Sequence, residues 1–215
     1  MRASILILAA LASFPAEAGA QPPAGRSFES IELRGGGAVT VRHGPVRRVT
    51  VRSGGAGRPI RYEGDRLVID RCRRPCPGGH RIEVEVTVPA LAALAVSDGG
   101  LIQLDRGFPS QAEMTAAVSS GGTIDIRTLK AARVTAAVSQ GGRILATPGR
   151  ELTAAVLDGG VITYWGDPRV TSSVRRGGVV VRGKAAELGL PIARLDPPLP
   201  RLPTLPVPPA PPRTH

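Results

Sequence analysis

The chain has 215 residues, a length that accommodates one domain with terminal extensions but hardly two. Glycine (27) and proline (21) exceed their average usage of about 7% and 5%, and one Trp, two Tyr and three Phe exclude a core built on large aromatic rings. The net charge of +11 favours anionic over cationic partners. All but two of the basic residues are arginine, however, which a GC-rich coding sequence also produces, so charge alone identifies no partner.

Residues 1–20 have the composition of a secretory signal peptide. Arg2 precedes an apolar run of eight residues from Ile5 to Ala12, and Ala18-Gly19-Ala20 offers a small-residue cleavage site. This run is much shorter than the roughly 20 residues that span a bilayer, and no later stretch approaches that length, so we expect no transmembrane segment. The sequence therefore predicts an exported protein, periplasmic or secreted, with residues 21–27 as a linker.

Short segments in which apolar and polar residues alternate predict β-strands from residue 28 onward. They are Phe28–Leu33, Val39–Arg42, Val49–Arg52, Ile60–Tyr62, Arg66–Asp70 and His80–Val88, with glycine-rich turns among the connections.

Two cysteines, Cys72 and Cys76, lie between the last two of these segments. In an oxidising compartment a close pair of cysteines is typical of a structural disulfide. A redox-active pair or half of a metal site is the alternative, but three residues separate the cysteines and no second Cys/His pair completes a tetrahedral site. We predict a Cys72–Cys76 disulfide, no metal site and no cofactor.

A Val-x-x-Gly-Gly tract recurs five times in the second half of the sequence. Its valines are Val96, Val118, Val138, Val156 and Val174, at steps of 22, 20, 18 and 18 residues. Apolar residues occupy every second position before each valine, and a further apolar column follows the glycines at Ile102, Ile124, Ile144, Ile162 and Val180. Threonines fall on the opposite parity, at 115, 135, 153 and 171, and are predicted to face solvent.

Each repeat therefore predicts two short strands joined by a Gly-Gly turn. A helix is excluded because the pattern has no 3.6-residue apolar face and each internal glycine would cost about 1 kcal/mol. One unit buries too few apolar side chains to be stable alone, so the units must stack. We predict an all-β, single-domain parallel β-helix or solenoid with coils of 18–22 residues, spanning residues 28–184.

Residues 185–215 form a proline-rich segment in which the repeat pattern has stopped. Ten prolines follow from Pro191 onward. This composition predicts a disordered tail. A spacer or docking segment is the alternative, because Leu199, Leu202 and Leu205 would lie along one face of a polyproline II helix.

Four of these features together resemble a known family. They are the opening Phe28-Glu-Ser-Ile-Glu-Leu33, the extended run at 84–91, the serial Gly-Gly turns, and Val161-Ile-Thr-Tyr-Trp-Gly-Asp-Pro168. Over residues 28–182 the sequence is similar to the "putative auto-transporter adhesin, head GIN domain" family. The resemblance implies an exported parallel β-solenoid with a role in adhesion or surface binding, and it supplies no catalytic residues.

A carbohydrate-active enzyme on a β-helix is the main functional alternative. Glycoside hydrolysis needs two carboxyl groups about 5–9.5 Å apart. Asp98 and Asp158 share the turn position but lie three coils apart, roughly 14 Å at the inter-strand spacing, so they cannot act as a pair. His43 and His80 lie in Gly/Pro-rich turns without a recognisable nucleophile signature.

The sequence thus favours a non-enzymatic binding or structural module of the cell envelope. Arginines crowd residues 34–81, either as a solvated strand face or as a basic side for lipopolysaccharide phosphates and anionic polysaccharides. An envelope protein is the other candidate partner. Nucleic acid is excluded because the protein is predicted to be exported and its scattered aromatic residues offer no stacking platform.

Overall fold

The computed structural model describes residues 27–54, 59–71 and 81–192. These residues are all-β: fourteen strands form one curled, mixed sheet, and a single 3₁₀ turn, Ala185–Glu187, is the only helical element among them. The predicted signal peptide, Cys72 and Cys76, and the tail from residue 193 lie outside the described residues, so those predictions are untested.

Seven strands precede the repeats or open them: β1 Ser30–Arg34, β2 Ala38–His43, β3 Arg48–Ser53, β4 Ile60–Glu63, β5 Arg66–Asp70, β6 Glu83–Val88 and β7 Ala93–Ser97. Seven more follow: β8 Leu101–Leu104, β9 Gln111–Ser119, β10 Thr123–Ser139, β11 Arg143–Leu157, β12 Val161–Tyr164, β13 Arg169–Val174 and β14 Val179–Arg182. The strands predicted between residues 28 and 88 are all present, within a few residues of the predicted bounds.

The strands pair in two columns. The first column runs β3-β6-β2-β8, continues through the N-terminal halves of β10 and β11, and ends with β12 and β14. The second runs β4-β5-β1-β7-β9, continues through the C-terminal halves of β10 and β11, and ends with β13. The apolar faces of the two columns pack into one core.

The repeated valines lie opposite one another along the second column, as predicted. Val96 pairs with Val118, Val118 with Val138, Val138 with Val156, and Val156 with Val174. The first four are at most 2% exposed. The apolar column that follows the glycines pairs in the same way, from Ile102 to Val180, and the four threonines are exposed.

Strand lengths differ from the prediction of two short strands per repeat. β10 has 17 residues and β11 has 15, because the second strand of one repeat continues directly into the first strand of the next. The register between them shifts on either side of Ala131. A small irregularity thus bends the strand where a separate loop was expected.

Two strands at the N-terminal end depart from the parallel scheme. β3 pairs antiparallel with β6, and β4 forms an antiparallel hairpin with β5 across Gly64-Asp65. The prediction that the early segments follow the parallel scheme is wrong for these two strands. For β4 the reason is that a tight turn joins consecutive strands only in antiparallel order. Each column therefore begins with an antiparallel strand.

The Gly-Gly turns use left-handed backbone angles at consecutive positions. The residue before the glycines has a positive φ in every repeat: Asp98, Ser120, Gln140, Asp158 and Arg176 lie between 48° and 59°. In the second repeat, Gly121 and Gly122 follow with φ of 85° and 97°. The angles of the two positions that follow strain a residue that carries a Cβ, so these two positions depend on glycine.

The two glycines of a turn have different surroundings. A Cβ on Gly121 would meet no atom within 4 Å, whereas a Cβ on Gly122 would lie 2.5 Å from Val96 Cγ1 and 3.0 Å from the carbonyl oxygen of Gly100. Equivalent contacts recur at the second glycine of the neighbouring turns. The second glycine therefore lets its turn approach the valine and the backbone of the preceding repeat.

We expect Gly122→Ala to destabilise the protein by about 1–3 kcal/mol more than Gly121→Ala, because only the former adds overpacking to backbone strain. Urea denaturation of both variants measures the difference in the free energy of unfolding. Equal losses would show that the close approach at Gly122 contributes nothing.

Candidate functional site

A polar groove of about 1450 Å³ lies where the first column of strands leads into the second. Its walls are the end of β2, the connection from β8 to β9, the bend of β10 and the segment after the last strand. Arg42, Asp105, Arg106, Phe108, Arg127 and Lys130 are among its lining residues. We call this feature the corner groove.

Arg127 holds the C-terminal segment against the sheet at one side of the corner groove. Its Nε donates to Asp125 Oδ1 (2.9 Å) and its Nη2 to Oδ2 (2.7 Å), and both side chains are 8% exposed. Its Nη1 donates to the carbonyl oxygens of Glu187 (3.2 Å), Leu188 (3.0 Å) and Leu190 (2.9 Å). One guanidinium thus satisfies a buried carboxylate and three backbone acceptors.

Trp165 also contacts the C-terminal segment that Arg127 holds. Its Nε1 donates to the carbonyl oxygen of Lys184 (2.9 Å), and the Arg127 guanidinium carbon lies 5.6 Å from the indole centroid. The ring is 3% exposed, and Gly183 lies against it so closely that a Cβ there would overlap the ring. The chain is therefore held in place from 183 to 190, past the domain end predicted at 184.

The β2 side of the corner groove carries a neutralised charge network. Arg42 Nε donates to Asp105 Oδ2 (2.8 Å), and its Nη1 lies 3.3 Å from Glu85 Oε1. Arg52 donates to the other oxygen of Glu85 at 2.7 Å. The hydrogen bond from Arg52, with the nearby charge of Arg42, lowers the pKa of Glu85, so this carboxylate stays ionised into mild acid.

Two cations in the corner groove have no such partner. Arg106 and Lys130 are exposed and form no ion pair or hydrogen bond through their side chains with any residue in the described ranges. Beside them, His43 packs edge-on against Phe108 with ring centroids 5.5 Å apart. The groove therefore presents two free positive charges next to a fixed aromatic pair.

The arginines of residues 34–81, by contrast, are largely paired within the described structure. Arg34 and Arg66 both bind Glu32, and Arg61 lies 2.9 Å from Asp70. The hydrogen bond from Arg34 lowers the pKa of Glu32 despite its partial burial. Arg34, Arg42, Arg52, Arg61 and Arg66 are consequently neutralised by acids on the same strand face.

The carboxylates weighed as catalytic candidates do not come together. Asp98 and Asp158 occupy turn positions separated by Ser120 and Gln140, whose side chains hydrogen-bond to each other at 3.0 Å. Asp158 accepts from Arg176 at 2.9 Å. His43 lines the corner groove, whereas His80 lies outside the described residues.

Sequence reasoning missed the roles of Arg127 and Trp165. The spacing of Asp125 and Arg127 puts both on one strand face, which is a signal for an ion pair. Nothing in the periodic pattern indicates that residues 185–190 fold over that face and bury it. Only the three-dimensional path of the chain assembles this contact.

One family model matches part of the chain. Residues 109–168 match the model of the family described as "Putative auto-transporter adhesin, head GIN domain". The resemblance to the head GIN domain is therefore confirmed for this segment, which includes the end of the β8–β9 connection, the bend of β10 and Trp165. No curated protein matches the sequence.

Three of the solved structures that match this chain are described as adhesion proteins. A putative adhesin from Parabacteroides merdae is 14% identical, with 74% of this chain and 92% of that chain covered and a TM-score of 0.35. A putative adhesin from Bacteroides fragilis is 16% identical, with 73% and 91% covered and a TM-score of 0.38. A putative cell adhesion protein from Clostridium sporogenes is 10% identical, with 75% and 95% covered and a TM-score of 0.35.

The described residues contain neither a cluster of metal-ligating side chains nor a membrane-spanning helix. No cluster of three or more His, Cys, Asp or Glu side chains with metal-binding geometry occurs in residues 27–54, 59–71 and 81–192. Within the same ranges, no helix has the length and apolarity needed to cross a membrane.

We expect Arg127→Gln to lower the free energy of unfolding by about 3–5 kcal/mol, because it leaves the buried Asp125 carboxylate without its partner. Arg133→Gln is the matched control on the same strand. Its pair with Glu113 is exposed and screened by solvent, so the loss should be much smaller. Chemical denaturation measures both, and similar losses for the two variants would contradict the assigned role of Arg127.

Proposed function

We propose that this protein is a non-enzymatic, exported binding module of the cell envelope, and that the corner groove binds an anionic glycan. The observation that carries the proposal is the pair of free cations, Arg106 and Lys130, in an open groove whose carboxylates Asp105 and Asp125 are already paired with arginine. The ligand chemistry that fits is a sugar polymer bearing carboxylate or phosphate groups.

Charge pairing explains why an anion is preferred. Guanidinium and ammonium groups form charge-assisted hydrogen bonds with carboxylate and phosphate oxygens, and arginine does so with two parallel donors. A ligand that binds Arg106 and Lys130 displaces no internal partner of either side chain. Binding at the paired arginines of β2 or β5 would first require breaking an existing ion pair.

The pairing of the groove carboxylates supports a non-enzymatic role. A glycosidase needs a carboxylic acid that can donate a proton and a second carboxylate free to act on sugar or water. Asp105 and Asp125 both accept N–H groups from arginine, at 2.8 Å and at 2.7 and 2.9 Å. A carbohydrate-active enzyme, which the sequence left open as the alternative, has no observation in its favour here.

The proposal also includes the fold and the localisation of the protein. Parallel pairing in register from β7 to β14 supports a short parallel β-solenoid as the scaffold of the groove. The family match to an adhesin head supports export, together with the signal-peptide pattern of residues 1–20.

The test is binding of the mature chain, residues 21–215, to polygalacturonate, to lipopolysaccharide and to neutral dextran. We expect binding to at least one of the two anionic glycans, none to dextran, and an affinity that falls with rising salt because the charges are exposed. Arg106→Glu with Lys130→Glu should weaken binding at least about tenfold, equivalent to roughly 1.4 kcal/mol.

The matched control is Arg169→Glu with Arg175→Glu, which changes the same number of charges at residues that do not line the corner groove. An equal loss of binding in the control would reduce the effect to net charge and contradict the proposed site. Release of reducing sugar from either polymer would favour the enzyme instead.

A further inference from the structure

The two ends of the strand columns are built differently. At the N-terminal end, β3 and β4 each close a column with an antiparallel strand. At the C-terminal end, β13 pairs only with β11 and β14 only with β12 among the described residues. The outer edge of β13 therefore carries backbone N–H and C=O groups without a strand to receive them.

The core residues of the last coil are also uncovered. Val174 is 44% exposed, although Val156 and Val138, its neighbours in the same column, are 2% exposed. Ser172, which follows Ala154 and Ala136 in their column, is exposed too. A further strand over β13 would bury Val174 as each preceding valine is buried by the next coil.

Basic side chains flank this edge. Arg169 and Arg175 lie at the two ends of β13 and form no ion pair through their side chains with another residue of the described ranges. Arg182 on β14 lies 3.5 Å from Asp167, with both side chains largely exposed. The open edge therefore carries two incompletely buried valines, Val170 and Val174, each next to an exposed arginine.

This charge distribution selects among the possible occupants. A second copy of the chain would bring its own Arg169 and Arg175 against the same residues, and like charges opposite each other on paired strands are destabilising. The segment 193–215 is rich in proline, which lacks the N–H donor that a ladder needs. An acidic strand from another protein meets both requirements of the edge.

We propose that β13 accepts, as an added strand, an extended acidic segment of a partner protein. Alternate apolar side chains of that segment cover Val174 and Val170, and its carboxylates pair with Arg169 and Arg175. Main-chain hydrogen bonds give affinity and the alternating side chains give specificity, as in other cases of β-strand addition. This surface is separate from the corner groove, so it does not depend on the glycan proposal.

The probe is a synthetic peptide of six residues in which glutamate and valine alternate, long enough to pair with the six residues of β13. We expect it to bind the full mature chain and to protect backbone amides of residues 169–174 from hydrogen exchange. A peptide with lysine in place of glutamate should not bind. An N-methylated glutamate peptide should not bind either, because it lacks the donors for the ladder.

Substitutions locate the site. Arg169→Glu with Arg175→Glu should weaken binding of the glutamate peptide at least tenfold, whereas Arg106→Glu with Lys130→Glu should leave it unchanged. Thermal melts of both double variants check that they are folded. Binding of the lysine or N-methylated peptide at equal affinity, an equal loss in both double variants, or unchanged amide protection in β13 would each overturn the proposal.

Discussion

The close contact between the second glycine of a turn and the apolar side chain of the preceding repeat is the constraint on which the rest of the structure depends. At Gly122 no side chain fits between the turn and Val96, so neighbouring repeats approach until their strands lie in register. That register aligns the valines and isoleucines into buried columns and leaves the threonines outside. The corner groove forms beside the β8–β9 connection and the bend of β10.

The sequence predicts the parts of this structure that a local, repeated residue pattern determines, and it does not predict the others. The burial of Val118, Val138 and Ile144 was predicted correctly, because in a strand with period-2 alternation every second side chain faces the core. The antiparallel pairing of β3 and β4 was missed because short alternating segments fit either direction. The groove was missed because Arg127 meets Glu187, Leu188 and Leu190 only through a path of the chain that no repeat encodes.

Ion pairing distinguishes the arginines that belong to the scaffold from the bases that are free to bind a ligand. Arginines along β1, β2, β3 and β5 bind Glu32, Glu85 and Asp105, and the hydrogen bonds from Arg34 to Glu32 and from Arg52 to Glu85 lower the pKa values of these two carboxyl groups. A large net positive charge is therefore a poor guide to a binding face. Among the described residues, the exposed bases without an ion pair include Arg106 and Lys130 in the corner groove, and Arg169 and Arg175 beside the open strand edge.

The most direct test of the buried columns compares Val138→Asp with Thr135→Asp. Val138 is 2% exposed between Val118 and Val156, whereas Thr135 lies on the exposed face of the same strand. Circular dichroism and thermal melting should show loss of the fold in the first variant, because a buried unpaired carboxylate costs several kcal/mol against a total stability of about 5–15 kcal/mol. The second should stay within about 0.5 kcal/mol of the parent. Equal destabilisation of the two variants, or a folded Val138→Asp protein, would contradict the account.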